Sequence, residues 1–468
     1  MKIVFVMPTF ELVKSYGGGG VLRRGILPPL GVGYLAASVE AAGHQAAFVD
    51  AQALNIDEAE TVRRVLALSP DVVGISCLTQ LAAAARTTAA LLKKARPDLP
   101  IIMGGAHVTS FFDSIPADMP EVDILVPGEG EQTLVELLAA MQSGAPLDGV
   151  KGIIYRGPDG QPVATPVREP LRDQDILPHP ARHLYDEQYY IPLPNQCRRR
   201  PATTVITSRG CPYGKCRFCF QGGRYAAPYS RRSPENVIDE LKQLAARGIR
   251  EILFWDDNFC INGKWVARFC DLLDSERLNL TWTVFGRVNT VTEEMLRRMA
   301  KSGCYSIHYG LESGSQKMLD AIKKGITLDQ VRQAVKWAKR AGMEIRGSFI
   351  FAMPGDTPEI AEETIRFACE LNIDWMIFYP YHPCAGTSLG ETAMIEGIIA
   401  PPDAEMHEPV YVPKGYRDAA QVAETVRSAY RRYYLRPRYI LRALWRLRNP
   451  VVLRNYLNGF RFWLKLVK

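Results

Sequence analysis

The chain has 468 residues, 47% of them hydrophobic and 23% charged, with a net charge of +7. That length allows two or three domains with a sizeable core, and no apolar run reaches the roughly 18 residues a spanning helix requires. Residues 428–468 hold eleven Lys or Arg and no acid, leaving about −4 for the remainder; a mildly acidic body with a basic tail argues against general nucleic-acid binding.

The first segment, 1-MKIVFVMPTF-10, has an apolar run that stops at Pro8, too short for an export-signal core, so it is expected as a strand. Ten cysteines without such a signal predict a reducing, cytoplasmic setting and no disulfide scaffold. Residues 1–145 then alternate short β-branched runs, 46-AAFVD-50, 71-DVVGIS-76, 100-PIIMGG-105 and 123-DILVPG-128, with amphipathic stretches such as 31-GVGYLAASVEAAG-43, where Leu35, Val39 and Ala42 share a face and Gly43 ends the helix. This alternation predicts a doubly wound parallel sheet that binds ligands at the carboxyl ends of its strands. Those ends carry Ser76, Gly104 with Gly105, and Gly128 with Glu129. The run 17-GGGG-20 is not a dinucleotide fingerprint, because it lies ten residues past the first strand and opens no helix.

Residues 146–200 show little periodicity and are expected as a linker with one hairpin near 153–163. From 203-TTVITS-208 the alternation resumes through 251-EILFW-255, 281-TWTVFG-286, 305-YSIHYG-310, 345-IRGSFIFA-352 and 375-WMIFYP-380, with helices such as 234-PENVIDELKQLAARG-248 between. Six such strands over 201–395 predict a partial or closed parallel barrel with its site at the strands' carboxyl ends. Residues 396–468 are expected as a helical C-terminal region.

Between the first barrel strand and a Gly-rich exit lies 210-GCPYGKCRFCFQGG-223, with Cys211, Cys216 and Cys219 within nine residues. Three closely spaced thiolates suit an iron–sulfur cluster with one iron left open. They also suit a zinc ion completed by Cys197 or His183.

That cysteine motif, followed by 256-DDNF-259, 310-GLESGS-315 and 353-MPGDT-357, resembles the radical S-adenosylmethionine (SAM) enzymes. The stretches 28-PPLGVGYLAASVEAAGH-44, 104-GGAH-107 and 128-GEGE-131 resemble the subgroup with a cobalamin-binding domain. The resemblance runs over about residues 1–390, with one departure: four residues, Pro212 to Lys215, separate the first two cysteines where that family usually has three. It implies a [4Fe–4S] cluster on Cys211, Cys216 and Cys219 whose open iron binds SAM, and cleavage of SAM to a 5′-deoxyadenosyl radical. It places Phe218 beside the adenine, Asp256 at the SAM amino group, Glu312 on ribose or amino donors, and Arg287 and Arg346 near the methionine carboxylate. It also implies a cobalamin whose nucleotide tail threads the sheet near Ser76, Gly104, Gly105, Gly128 and Glu129. With no Asp-x-His-x-x-Gly pattern, the loop of Ser76, Cys77 and Leu78 faces the cobalt, Leu78 nearest, and the cobalamin is base-off.

The activity expected from this resemblance is C-methylation at an unactivated carbon of a small molecule, fed by an external electron donor of flavodoxin or ferredoxin type. The alternatives are an oxidative cyclase or ring rearrangement on a porphyrin-like or lipid substrate, and a zinc-stabilised RNA-binding or RNA-modifying protein. No nucleic-acid partner is expected. In the tail, Tyr439, Leu441, Leu444, Trp445 and Leu447 alternate with Arg438, Arg442, Arg446 and Arg448. Such a pattern either docks on the barrel or lies peripherally on the inner membrane face through 428–468, which would favour a lipid-like or pigment substrate.

Overall fold

The computed structural model describes residues 1–9, 25–193, 196–399 and 408–446. The chain divides into two compact units, Met1–Ile191 and Pro192–Lys468. The Gly-rich run 17–20 lies outside the described residues.

In the first unit, β1 (Lys2–Met7), β2 (Gln45–Asp50), β3 (Val72–Ser76), β4 (Ile101–Gly104) and β5 (Ile124–Val126) pair in parallel in the order β2-β1-β3-β4-β5. Helices cover both faces: α1 (Leu30–Ala41) and α4 (Glu131–Ser143) on one, α2 (Glu58–Ala67) and α3 (Ala82–Ala95) on the other. Strand β1 explains why its run is uninterrupted: Val4 and Val6 pack into one core while Ile3, Phe5 and Met7 pack into the other. The strand order turns back between β1 and β3, which opens a crevice at the carboxyl ends.

The stretch expected as a linker is instead largely built into this unit. Strands β6 (Ile154–Arg156) and β7 (Pro162–Ala164) form a hairpin that adds two antiparallel strands beside β5. Beyond it the chain is pinned by scattered bonds: Leu171 N–H to Glu129 (2.8 Å), Tyr185 hydroxyl to the Pro29 carbonyl (2.8 Å) and Tyr190 hydroxyl to buried Asp50 (2.9 Å). Side-chain anchors of this kind leave no periodicity in the sequence.

In the second unit, β8 (Ala202–Val205), β9 (Glu251–Phe254), β10 (Thr281–Gly286), β11 (Cys304–Glu312), β12 (Glu344–Phe351) and β13 (Trp375–Pro380) run parallel, each beside the next. Among the described residues strands β8 and β13 remain edges, so the barrel is partial. The helices between strands, α5 (Pro234–Ala246), α6 (Gly263–Glu276), α7 (Glu293–Lys301), α8 (Leu328–Arg340) and α9 (Pro358–Leu371), each begin at a capping side chain: Ser233, Asn262, Thr292, Thr327 and Thr357. Each such cap contributes about 1 kcal/mol and marks where a loop turns into a helix.

The edge of β13 is covered by α10 (Ala419–Tyr434) and α11 (Pro437–Arg446). The Tyr434 hydroxyl accepts from Met376 N–H (2.9 Å) and donates to the Met376 carbonyl (2.7 Å), and the Tyr430 hydroxyl accepts from Phe378 N–H (3.2 Å). An open strand edge thereby loses its unpaired backbone groups. Arg442 donates to the Asn372 carbonyl at the end of α9 (2.9 Å). Through Arg442 the tail therefore docks on the barrel, and residues 447–468 lie outside the described residues. No described helix is long and apolar enough to cross a membrane.

Candidate functional site

The cysteine loop leaves β8 through Ser208–Arg209, which pairs antiparallel with Ser230–Arg231 and closes the loop at its base. Glycines make the closure possible. Gly210 has φ +74°, and a Cβ there would fall 2.5 Å from the Ala227 carbonyl; at Gly222 it would fall within 2.1 Å of the Cys216 carbonyl. Arg217 fixes the loop to the body, donating its N–H to the Ile322 carbonyl (3.0 Å) and accepting from Leu389 N–H (3.0 Å).

Cys216 is buried, and Cys211 and Cys219 are half-buried. Burial pushes the Cys216 thiol up against the pull of Lys324 and Arg287, and pushes Cys219 up to about 11. Among the described residues no three His, Cys, Asp or Glu side chains stand together at the spacing of a single metal ion. Of the expected partners of a zinc site, Cys197 is buried before β8, at the amino ends of the strands, and His183 bonds Glu40 (3.0 Å) within the first unit.

Around this loop three charged side chains, Arg287, Glu312 and Lys324, come together. Arg287, just past β10, lies over the Tyr213 ring (4.0 Å) and donates to the Cys216 Sγ (3.7 Å) and the Lys324 carbonyl (2.5 Å). Glu312, the last residue of β11, has φ +62°, a left-handed conformation stabilised by its surroundings. Its carboxylate accepts from Lys324 Nζ at 2.6 Å, and both side chains are buried. A Cβ on Gly310 would stand 2.5 Å from the same Glu312 oxygen, so a larger residue there would push the carboxylate aside. Lys324 also lies 5.8 Å from the Phe218 ring centre.

Asp256 follows β9 and is buried. One oxygen, Oδ1, accepts from Thr207 N–H (3.0 Å), the Thr207 hydroxyl (2.7 Å) and the Ser208 hydroxyl (2.6 Å). The other, Oδ2, is buried with no hydrogen-bond partner. Burial raises its carboxyl above the usual range despite those three bonds.

Arg346 does not join this group. It is buried low in β12 beside Tyr305, Glu344, Cys197 and Glu251, and burial lowers its pKa. There Glu251 accepts from the N–H groups of Arg198 (3.0 Å) and Arg199 (2.8 Å), the Tyr305 hydroxyl (2.6 Å) and the Thr281 hydroxyl (2.9 Å). This network plugs the amino end of the partial barrel.

Two residues escape sequence reasoning. Lys324 sits in the turn 323-KKG-325, with nothing local to link it to Glu312. Asp356 lies in the quoted 353-MPGDT-357, where it accepts from Ala352 N–H (2.6 Å) and Thr357 N–H (2.9 Å), and burial pushes its carboxyl up to about 7.

In the first unit the expected residues lie at the carboxyl ends of β3, β4 and β5. Cys77 N–H donates to the Gly104 carbonyl (2.8 Å), and His107 N–H donates to the Cys77 carbonyl (3.1 Å). Gly105 has φ +104°, and a Cβ there would fall 2.6 Å from the Cys77 carbonyl oxygen. Gly128 N–H donates to the Thr109 hydroxyl (2.9 Å), while Glu129 is turned to Leu171. Leu78, two residues past Ser76 and next to buried Cys77, is 47% exposed.

Comparison with known proteins agrees with both halves. Residues 20–138 match the family model of the B12 binding domain, and residues 205–368 match that of the Radical SAM superfamily. An uncharacterized methyltransferase, PH0819, of Pyrococcus horikoshii is 33% identical over 94% of both chains. The anaerobic magnesium-protoporphyrin IX monomethyl ester cyclase of Rubrivivax gelatinosus is 29% identical over 94% of this chain and 78% of its own. Among solved structures, the radical S-adenosylmethionine methyltransferase TsrM of Kitasatospora setae, with tryptophan substrate and a SAM analogue bound, superposes with a TM-score of 0.71. It covers 91% of this chain and 82% of its own, at 21% identity, and so shares the fold.

Proposed function

We propose that this chain, which belongs to the cobalamin-dependent radical SAM enzymes, is a methyltransferase acting at an unactivated carbon of a small molecule. The observation that carries this reading is the full-length match to the Pyrococcus methyltransferase.

The residues present suit the cofactors of this family. Cys211, Cys216 and Cys219 supply three soft thiolate donors on one glycine-closed loop, with Arg287 and Lys324 lining it to offset cluster charge. A four-iron cluster takes each thiolate on a different iron, so single-ion spacing is not its requirement. The partnerless Oδ2 of Asp256 suits an ammonium donor, such as the SAM amino group. Glu312 and Phe218 are the residues we assign to the remaining polar and adenine contacts, with Arg287 nearby. For cobalamin we assign Ser76, Cys77, Leu78, Gly104, Gly105 and Gly128, with Glu129 steadying the segment at Leu171. Leu78 offers no nitrogen to the cobalt, in keeping with base-off binding. Bound together, these groups supply an electron for SAM cleavage and a carrier for the methyl group.

The chain's own residues then bind and exclude. Glu251 and its partners close the amino end, so substrate enters from the carboxyl ends of the strands. We further assign reduction to an external one-electron donor of flavodoxin or ferredoxin type; the exposed Lys215, Arg224 and Lys323 near the cysteine loop support an acidic partner. Exposed Leu435, Ile440 and Leu441 on the docked tail support peripheral contact of 428–468 with an anionic membrane face.

With a turned-over substrate, SAM should yield both 5′-deoxyadenosine and S-adenosylhomocysteine, one molecule giving the radical and another the methyl group. Deoxyadenosine without S-adenosylhomocysteine would remove the methyltransferase reading in favour of the cyclase.

A further inference from the structure

The two faces of the barrel sheet differ in kind. Val284, Ile307 and Ile345, neighbours across β10, β11 and β12, are fully buried against the helices. One residue on in each strand, the opposite, concave face carries Phe285, His308 and Arg346, again in register, with Trp375 beside Arg346 in β13. Period-two alternation fixes this division.

On that concave face the rings form a ladder. Trp255, 40% exposed at the end of β9, meets Phe285 edge-on with ring centres 5.1 Å apart. Phe285 in turn stacks on His308, with centres 5.0 Å apart and planes 27° from parallel. Phe285 and His308 are only half-buried although they sit in the middle of a sheet. Tryptophan and phenylalanine left partly bare inside a barrel cost solvation that a ligand would recover. Neither nitrogen of His308 has a hydrogen-bond partner among the described residues. Burial, with Arg346 beside it, pushes the imidazole down to about 3, so at neutral pH it offers one donor and one acceptor.

We propose that Trp255, Phe285 and His308 form a substrate subsite for a flat unsaturated ring, with His308 hydrogen-bonding a polar group in or near the ring plane. An aliphatic chain would fill the space but forgo the stacking and leave the imidazole unpaired. This rests on the reading of the barrel as the domain in which substrate reacts. It assigns the substrate a chemical class, a conjugated ring compound with a hydroxyl, N–H or carbonyl substituent, and assigns His308 a positioning role.

The test uses full-length protein and three probes in equilibrium dialysis: 2-naphthol, naphthalene and the saturated alcohol trans-2-decalol. We expect 2-naphthol to bind about tenfold more tightly than 2-decalol. Trp255→Leu and Phe285→Leu should each weaken 2-naphthol about fivefold. His308→Phe, which keeps the stacking, should weaken 2-naphthol about fivefold and leave naphthalene unchanged; His308→Gln, which keeps a donor and an acceptor, should restore part of the 2-naphthol affinity. Urea unfolding of each variant checks that it is folded. Equal binding of naphthol and decalol, parental affinity in the leucine variants, or no binding of any probe would overturn the proposal. SAM cleavage on the same preparations reports separately on the enzyme reading: probe binding as expected without SAM cleavage sinks the activity and keeps the subsite, and the reverse sinks the subsite alone.

Discussion

The carboxylate of Glu312 and the ammonium of Lys324 meet at 2.6 Å in a buried position, twelve residues apart, over a glycine, Gly310, that leaves room for them. The pair holds the end of β11 in its left-handed turn beside the cysteine loop. Lys324→Met strands a buried carboxylate and should cost about 3–5 kcal/mol in urea unfolding. Adding Glu312→Gln in the same chain should recover part of that loss. A cost below about 1 kcal/mol for the single variant would show that the pair is solvated and does not order the site.

Asp356 predicts a pH dependence of stability. Its folded carboxyl sits at about 7, above the usual value of 3.8, because burial outweighs the N–H donors of Ala352 and Thr357. Between those values the native chain holds a proton that the unfolded chain has released. Its contribution is therefore complete below about pH 4 and is lost as pH rises through 7. Asp356→Asn, which imitates the neutral acid, should flatten the stability profile between about pH 4 and 7 by on the order of a few kcal/mol. A variant with the parental slope would contradict the assignment.

At the proposed cobalamin site, Gly105 and Leu78 make separate predictions. Gly105→Ala adds a Cβ within 2.6 Å of the Cys77 carbonyl oxygen at a φ of +104°, so hydroxocobalamin binding to the full-length chain should weaken by roughly the 1–3 kcal/mol such strain costs, about five- to hundredfold. Leu78→His places an imidazole where the loop is proposed to face the cobalt. The absorption spectrum of bound cobalamin should move to that of a nitrogen-ligated form, and an unchanged spectrum would mean that Leu78 does not face the metal.

The tail gives a stability prediction. Tyr434→Phe removes the hydroxyl that serves both backbone groups of Met376 on the barrel edge. The expected loss is about 1–3 kcal/mol. Parental stability would mean that the edge of β13 is satisfied without the helix.

How much of this was legible depended on whether a residue acts through local pattern or through distant contact. The strands were legible because parallel sheets covered on both faces leave uninterrupted apolar runs, as in β1. The positions of Glu312, Asp256 and the cysteines at the carboxyl ends of the strands were legible because they end or follow strands in short motifs. Lys324 was not, since its partner is set by how the chain folds back after β11. Arg346 shows a different limit: its strand was found, but sequence gave no measure of depth, and the residue lies toward the plugged amino end with Tyr305 and Glu251. Residues 146–200 read as linker because hydrogen bonds such as Tyr190 to Asp50 need no period. The tail's alternation of apolar and basic residues fits docking and membrane contact equally, and tyrosine hydroxyls on a bare strand edge decided the described part.

The most direct measurement is the spectrum of the anaerobically reconstituted full-length protein with and without SAM. The reconstituted protein should hold about four irons per chain and show charge-transfer absorption and an electron paramagnetic resonance signal of the reduced cluster that changes when SAM is added. Cys211→Ser, Cys216→Ser and Cys219→Ser should each lose most of that iron. Tightly bound zinc without charge-transfer absorption, or a reduced cluster whose signal is indifferent to SAM, would contradict a SAM-binding cluster.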